Sequence, residues 1–210
     1  MKLLFFDTET TSIKPGNICQ LSYILIDASS KPQKTTGKNF FFTVDSMDEG
    51  AEAIHGFSLE KLYELSDGRE FLEFVHEFMP DFFDADFIIG HNVQFDIKFL
   101  KHELQQLWEA GLIDTTWDAK NKFCTMAYYK PICNIPSPSG TIKNPKLSEV
   151  IDFLGITEDQ ITKKANELFE GSGNYHDARF DTAATYLTVI QGMKKGLIPA
   201  GYFSNLLKNN

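Results

Sequence analysis

The chain has 210 residues, of which 42% are hydrophobic, so one domain with a substantial buried core is expected. No apolar stretch approaches the roughly 20 residues of a membrane-spanning helix, and the amino end does not resemble a signal peptide. The 3 cysteines lack metal-type spacing. We therefore expect a cytoplasmic protein with reduced thiols and no membrane contact. The net charge of −9 argues against broad adsorption to nucleic acid, although acidic residues that surround metal ions could still serve a nucleic-acid enzyme.

Three strands are predicted at the start of the chain. Residues 2–6 form a short run of large apolar side chains, which is typical of a strand buried on both faces. Residues 18–26 and 39–44 predict a second and a third strand, and the turn-forming residues over 27–32 separate them. Because the connections are short, we expect these strands to form an antiparallel meander.

Helices and strands alternate in the remainder of the chain. The predicted elements, in order, are a short helix capped by Ser58, a helix from Phe71 to about Pro80, a strand over 86–90, a helix capped by Asn92, a strand over 121–126, a proline-rich loop over 130–146, and helices over 147–154, 158–169 and 177–195. This pattern predicts a single α/β domain over 1–210 with its core at about 2–195, in which helices flank a mixed sheet. The short tail over 196–210 either packs on the domain or binds a partner.

Two carboxylates follow the first predicted strand. Since side chains alternate along a strand, Asp7 and Glu9 point to the same side. Carboxylates side by side at the end of a buried strand repel each other unless a cation lies between them. Hard divalent metals prefer oxygen ligands, so a metal site is predicted here. The alternative is a pair of acidic residues that water solvates at the surface.

Three further side chains are candidates for the same site. Asp96 heads the apolar stripe of its helix, just beyond a strand end, where open α/β sheets bind ligands. Asp181 lies near the start of the last long helix, and His176 follows the loop Gly171-Ser172-Gly173-Asn174, which we expect to be flexible. The negative charge of four carboxylates equals the positive charge of two divalent metal ions. Two such ions can bind both the attacking and the leaving oxygen when a phosphodiester is cleaved. A histidine beside them can accept a proton. Helix-terminal acidic residues and a surface histidine are the alternative interpretation.

Three segments resemble, in the right order, the motifs of the DEDDh (DnaQ-like) 3′→5′ exonucleases. They are Phe6-Asp7-Thr8-Glu9-Thr10-Thr11, His91-Asn92-Val93-Gln94-Phe95-Asp96 and His176-Asp177-Ala178-Arg179-Phe180-Asp181. This family includes the proofreading subunit of bacterial DNA polymerase III, ribonuclease T and oligoribonuclease, and the resemblance spans about residues 3–190. It implies a ribonuclease H-like fold, with a five-stranded sheet of three antiparallel and then two parallel strands. It also implies metal-dependent 3′→5′ exonuclease activity that releases nucleoside 5′-monophosphates.

The resemblance implies a catalytic role for each core position. Asp7 would bridge two Mg²⁺ (or Mn²⁺) ions, Glu9 and Asp181 would complete the first metal site, and Asp96 would support the second. His176 would deprotonate the attacking water.

Further positions are candidates for contact with the substrate: Thr8, Thr10, Ile13, His55, His91, Asn92 and Phe95. The family places apolar side chains near the positions of Ile13 and Phe95 against the terminal bases, whereas core packing is the alternative. Two positions depart from the family pattern. Ser12 stands where glycine is frequent, and Cys124 stands where many members have aspartate. Hard metals disfavour thiolate, so we do not expect Cys124 to bind metal.

The sequence leaves the substrate and the partners open. Single-stranded DNA 3′ ends, as in proofreading or repair, are the first expectation, and RNA trimming by the same chemistry is the alternative, since no residue identifies a 2′-OH contact. A DNA polymerase and a second copy of the chain are both compatible partners. Two other hypotheses are a non-catalytic scaffold on this fold and a carboxylate-pair hydrolase such as a glycosidase, which needs no metal.

Overall fold

A five-stranded mixed sheet forms the centre of the computed structural model, which describes residues 1–170 and 176–209. The strands are β1 (Lys2–Thr10), β2 (Ile18–Asp27), β3 (Lys34–Phe41), β4 (Phe87–Gly90) and β5 (Lys122–Cys124). Their order is β3-β2-β1-β4-β5, in which β2 pairs antiparallel with β1 and β3, and β4 pairs parallel with β1 and β5. The predicted α/β class and the division into three antiparallel and two parallel strands are confirmed.

The helices cover both faces of this sheet. They are α1 (Glu49–His55), α2 (Leu59–Ser66), α3 (Phe71–Asp84), α4 (Val93–Glu109), α5 (Thr125–Cys133), α6 (Leu147–Leu154), α7 (Glu158–Leu168), α8 (Ala178–Lys194) and α9 (Tyr202–Asn209). No helix among the described residues is long and apolar enough to cross a membrane.

Strand β1 is apolar on both sides, and this determines which helix each of its residues faces. Leu3 and Phe5 pack in a layer with α6, α7 and α8, whereas Leu4 and Phe6 pack in the opposite layer with α3 and α4. Odd positions of β1 therefore face α8 and even positions face α4. The polar end of the strand continues the same alternation.

The prediction that the first strand ends before Asp7 is wrong. Strand β2 runs alongside the polar residues, so Asp7 pairs with Ser22 and Glu9 pairs with Gln20. This ladder gives the backbone groups of the polar residues their hydrogen-bond partners. A register shift between Glu9 and Thr10 then marks a bulge. Both carboxylates thus project from a fixed strand rather than from a loop.

Helix α3 does not end near Pro80, as the sequence predicted, but continues to Asp84. A proline removes one N–H donor from the helix. The turn that follows is held by Phe82, whose ring packs against Phe6 and Trp117. The indole N–H of Trp117 also donates to the carbonyl of Phe82 at 3.2 Å. Tertiary packing outweighs the helix-breaking tendency of the proline.

The loop predicted over 130–146 is shorter, because α5 includes Pro131 and ends at Cys133. Strand β3 spans Lys34–Phe41 rather than the predicted 39–44, because it pairs with β2 from Gln20 through Asp27. Ser58 caps α2 as predicted, since its side chain accepts a hydrogen bond from the amide of Lys61.

Asn92 is the N-cap residue of α4 as predicted, with a φ of 67°, but its side chain makes no capping hydrogen bond. Helix α1 was missed, because it buries no residue and thus lacks an apolar stripe. The predicted tail contains α9, whose Phe203 is 3% exposed and contacts the rings of Phe87 and Phe123, so the tail packs on the domain. The loop Gly171-Ser172-Gly173-Asn174, which we expected to be flexible, lies outside the described residues.

Candidate active site

Three carboxylates from two distant parts of the chain form one cluster. Asp7 and Glu9 project from the face of β1 that α8 covers, and Asp181 lies in the first turn of α8. Each contributes a carboxylate oxygen, and these oxygens lie within 4.8 Å of one another. All three side chains are partly buried, so water solvates them less well than it solvates surface carboxylates.

Asp96 lies on the other side of β1, in the first turn of α4, and is 3% exposed. Its Oδ1 accepts hydrogen bonds from the amide of Thr8 at 3.1 Å and from the hydroxyl of Thr8 at 2.8 Å. Thr8, which we predicted as a substrate contact, thus orients this carboxylate. Asp96 is outside the close cluster, but its charge helps to raise the pKa of Asp7.

Helix α4 holds the β1–β2 hairpin through a second carboxylate that the sequence analysis did not identify. Glu103 lies two turns after Asp96 on the same face of α4, and it is 7% exposed. Its Oε1 accepts a hydrogen bond from the amide of Ile18 at 2.8 Å. Ile18 is the partner of Thr10 just past the bulge, so Glu103 secures the strand where the ladder shifts.

His176 stands beside the cluster. Its amide donates to Asp181 Oδ2 at 3.3 Å, its φ is 66°, and its side chain is exposed. The next residue, Asp177, is a fifth carboxylate that the sequence analysis missed. It is buried and forms a salt bridge with Arg179 at 2.6 Å, so its charge is compensated within the protein.

A cavity of about 430 Å³ adjoins Glu9. It is lined by apolar side chains that include Ile13, Ile54 and Phe95, of which Ile13 is 83% exposed and Ile54 is 57% exposed. His55 also lines this cavity, and its Nδ1 accepts a hydrogen bond from the amide of Phe57 at 3.1 Å. The cavity offers an apolar surface directly beside the carboxylates.

The other candidate substrate residues differ in their surroundings. The hydroxyl of Thr10 lines the same cavity and donates to the carbonyl of Ser12 at 2.8 Å. The ring nitrogens of His91 lie 3.0 Å from the Thr125 hydroxyl and 3.0 Å from the Pro145 carbonyl. His91 therefore joins β4 to α5 and to the loop before α6. Neither His91 nor the exposed Asn92 is among the described residues that line the cavity.

Burial and mutual repulsion both disfavour the charged form of these carboxylates. Burial, followed by the charges of Asp96, Asp181 and Glu9, raises the pKa of Asp7 well above its usual range. Burial and the charge of Asp181 likewise raise the pKa of Glu9. Burial also raises the pKa of Asp96 and of Asp181 to about 7 each, against the hydrogen bonds from Thr8 and His176. A bound cation therefore compensates the negative charge of these carboxylates better than water does.

The donor set fits a hard divalent cation. The cluster offers carboxylate oxygens, which Mg²⁺ and Mn²⁺ prefer, and within the described part of the chain it contains no sulfur or nitrogen ligand of the kind that Zn²⁺ favours. Among the described residues, no lysine or arginine forms a salt bridge with Asp7, Glu9 or Asp181. A metal ion would supply the missing positive charge.

These raised pKa values predict how the stability of the metal-free protein depends on pH. A carboxyl group whose pKa is higher in the folded state than in the unfolded state binds its proton more tightly when folded. The free energy of unfolding in EDTA should therefore fall as the pH rises from about 4, the ordinary carboxyl value, through about 7, the raised value of Asp96 and Asp181. Mg²⁺ should restore stability at about pH 8, because it binds the ionised cluster. Thermal unfolding with EDTA or Mg²⁺ measures this, and a melting temperature in EDTA that does not fall with pH would contradict it.

Comparison with solved structures supports the assignment of the fold. The exonuclease I of Methylocaldum szegediense matches 99% of this chain and 43% of that chain with a TM-score of 0.68 at 16% identity. E. coli exonuclease I in complex with a dA16 oligonucleotide matches 98% of this chain and 43% of that chain with a TM-score of 0.69 at 17% identity. These likenesses confirm the predicted ribonuclease H-like fold.

Sequence comparison identifies the family. The DNA polymerase III subunit epsilon of Rickettsia prowazekii is 34% identical over 135 residues, which are 59% of this chain and 56% of that protein. The same subunit of Rickettsia conorii is 36% identical over 111 residues, which are 51% of this chain and 46% of that protein. The chain thus spans about half the length of these relatives. A family model described as exonuclease matches residues 4–132, which include β1 from Leu4 onward and all of α4, and on this match the chain belongs to the exonuclease family.

Proposed function

We propose that this chain is a single exonuclease domain that removes nucleotides from the 3′ end of single-stranded DNA and releases nucleoside 5′-monophosphates. The observation that carries the proposal is the cluster of Asp7, Glu9 and Asp181 beside an apolar cavity. The carboxylates suit metal ions that bind a phosphodiester, and the cavity suits a base. We also propose that the protein acts in the cytoplasm. A DNA polymerase is the partner suggested by the names of its relatives, and homodimerisation stays a prediction.

Each residue of the site has a role in this reaction. Asp7 would bridge two Mg²⁺ or Mn²⁺ ions, with Glu9 and Asp181 on the first and Asp96 on the second. When bound, these ions would stabilise the charge on the attacking and leaving oxygens. His176 would accept the proton of the attacking water. The exposed position of His176 supports this role, because water reaches its ring without crossing the core.

The apolar wall of the cavity supports binding of the terminal bases. Ile13 lines the cavity and is largely exposed to solvent. Phe95 also lines it and packs on Phe99, with 4.7 Å between the two ring centroids. An aliphatic side chain and an aromatic ring on one cavity form a surface for a base without reading its identity. Such contacts need an unpaired base, which favours a single strand over a duplex.

Ile13→Ala is expected to weaken oligonucleotide binding without slowing catalysis. Covering an exposed isoleucine side chain with a base contributes about 1.5 to 3 kcal/mol, so KM should rise roughly 10- to 150-fold while kcat changes little. Steady-state kinetics on a 3′-labelled oligonucleotide measure both constants. Leu112→Ala is the matched control, because Leu112 is 55% exposed and does not line this cavity. Equal KM values for the two variants would remove Ile13 from the substrate surface.

Matched DNA and RNA oligonucleotides of several lengths, with and without a 3′ mismatch, test the substrate. We expect Mg²⁺-dependent release of nucleoside 5′-monophosphates from DNA, in steps from the 3′ end, and faster release from a mismatched end because it is unpaired. Faster cleavage of RNA would favour the RNA-trimming alternative. Activity that persists in EDTA would favour a metal-free carboxylate-pair hydrolase, and no release from any substrate would favour a scaffold.

A further inference from the structure

The fully buried side chain of Gln20 connects β2 to the start of α8. Gln20 is 0% exposed and lies opposite Glu9 in the β1–β2 ladder. Directly opposed side chains of two antiparallel strands leave the sheet on the same face. Gln20 therefore points to the face that carries the carboxylate cluster and that α8 covers.

Both ends of the Gln20 amide are hydrogen-bonded there. Its Nε2 donates to Asp177 Oδ1 at 2.9 Å and to Asn39 Oδ1 at 2.9 Å. Its Oε1 accepts from the amide of Ala178 at 3.0 Å. Asp177 is the N-cap of α8, and Ala178 is the first residue of that helix. One side chain of the sheet thus holds two consecutive residues at the helix start.

The backbone of α8 links these hydrogen bonds to the carboxylate cluster. The carbonyl of Asp177 accepts a hydrogen bond from the amide of Asp181 at 3.1 Å, so the candidate ligand lies one turn after the residues that Gln20 holds. Arg179 binds the carboxylate of Asp177 through Nε at 2.9 Å and through Nη2 at 2.6 Å. Asp177 is thus paired with Arg179 while it accepts the Gln20 hydrogen bond.

We propose that Gln20 is a positioning residue for the metal site, which holds the first turn of α8 at the distance from β1 that brings Asp181 to Asp7 and Glu9. This inference rests on the metal requirement of the proposed function. Three repelling carboxylates tend to separate, and α8 carries one of them while β1 carries the other two. Gln20 lies on β2, beside β1, and hydrogen-bonds the start of α8. Its loss lets the three ligands move apart and weakens their joint binding of a cation.

Gln20→Ala tests the proposal, with Ser22→Ala as its matched control. Ser22 is also 0% exposed, lies two residues further on the same face of β2, and also donates to Asn39 Oδ1, at 2.6 Å. Its hydroxyl makes no hydrogen bond to the first turn of α8 among the described residues. Calorimetric titration with Mn²⁺, without nucleic acid, measures the affinity of each protein. Circular dichroism checks that each variant is folded.

We expect Gln20→Ala to weaken Mn²⁺ binding by about 10- to 100-fold, as removal of residues that orient metal ligands does elsewhere. Ser22→Ala should stay within about 3-fold of the unsubstituted protein. Excess Mn²⁺ should return nucleotide release by Gln20→Ala to within a few-fold of the normal rate, because a positioning defect is overcome by mass action. A folded Gln20→Ala protein with unchanged Mn²⁺ affinity overturns the proposal.

If Gln20→Ala does not fold, Asp177→Ser tests the same proposal. Serine is also a good N-cap, so α8 keeps its start while Gln20 loses its carboxylate partner. The same loss of Mn²⁺ affinity is expected, and unchanged affinity overturns the proposal. The test is separate from that of the proposed function. An unsubstituted protein that binds Mn²⁺ but releases no nucleotide refutes only the exonuclease, whereas one that binds no Mn²⁺ refutes both.

Discussion

Asp7→Asn is expected to slow Mg²⁺-dependent nucleotide release by at least about 10³-fold, because bound metal ions contribute several kcal/mol to such displacements and each 1.4 kcal/mol is tenfold in rate. The charges of Asp96, Asp181 and Glu9 all raise the pKa of the Asp7 carboxyl, so Asp7 lies close enough to interact with each of the other candidate ligands. An amide at this position keeps the shape of the side chain and removes the charge that attracts a cation. Single-turnover release from a 3′-labelled oligonucleotide measures the effect.

The same substitution should stabilise the metal-free protein, which separates lost catalysis from lost folding. Removing one buried, repelled charge relieves the cluster, and each kcal/mol gained raises the melting temperature by about 2 to 4 °C in a chain of this size. Asp152→Asn is the control, since Asp152 is exposed on α6, and both rate and melting temperature should be unaffected. A normal rate in Asp7→Asn would refute the proposed mechanism.

Substitution of His176 should lower the rate about 10²- to 10⁴-fold at neutral pH while leaving Mn²⁺ affinity nearly unchanged, because a general base contributes to proton transfer and not to metal binding. His176→Ala removes the ring. His176→Asn also removes it, and asparagine better tolerates the left-handed backbone, where φ is 66°. Both variants keep the amide that donates to Asp181.

Agreement between these two variants would attribute the loss to the imidazole rather than to backbone strain. His76→Ala serves as the control, because His76 is exposed on α3 and does not line the cavity beside Glu9. If either His176 variant releases nucleotides at the normal rate at pH 7, another group must accept the proton. If both lose Mn²⁺ affinity in proportion to rate, His176 acts on the metal site instead.

The sheet could be predicted from the sequence because its strands are short apolar runs, but the strand ends could not. Strand β1 continues into Thr8 and Glu9 only because β2 lies beside it, and no local pattern reveals that pairing. Helix α3 passes Pro80 because Phe82 packs in the core, which depends on residues as distant as Trp117. Boundaries set by long-range contacts are invisible to local propensity.

The acidic residues and histidine of the candidate site could be predicted because the carboxylates occupy structural boundaries and match three ordered motifs. The residues that hold these side chains in position could not be predicted. Gln20 and Asp177 are 157 residues apart, and Glu103 and Ile18 are 85 residues apart. A buried glutamine inside a strand looks like ordinary core, and a glutamate inside a long helix looks like a solvated side chain. Only the folded chain reveals that each meets a backbone amide.

The two buried carboxylates of α4, Asp96 and Glu103, fix the spacing between two attachment points on the β1–β2 hairpin. Asp96 holds Thr8 and Glu103 holds Ile18, about 10.5 Å further along the helix axis. One residue inserted between them would turn Glu103 by about 100° away from the hairpin or turn Asp96 away from β1. The seven-residue interval is therefore a fixed dimension of the molecule, whereas changes of length at the exposed end of α4, near Glu109, leave both attachments in place.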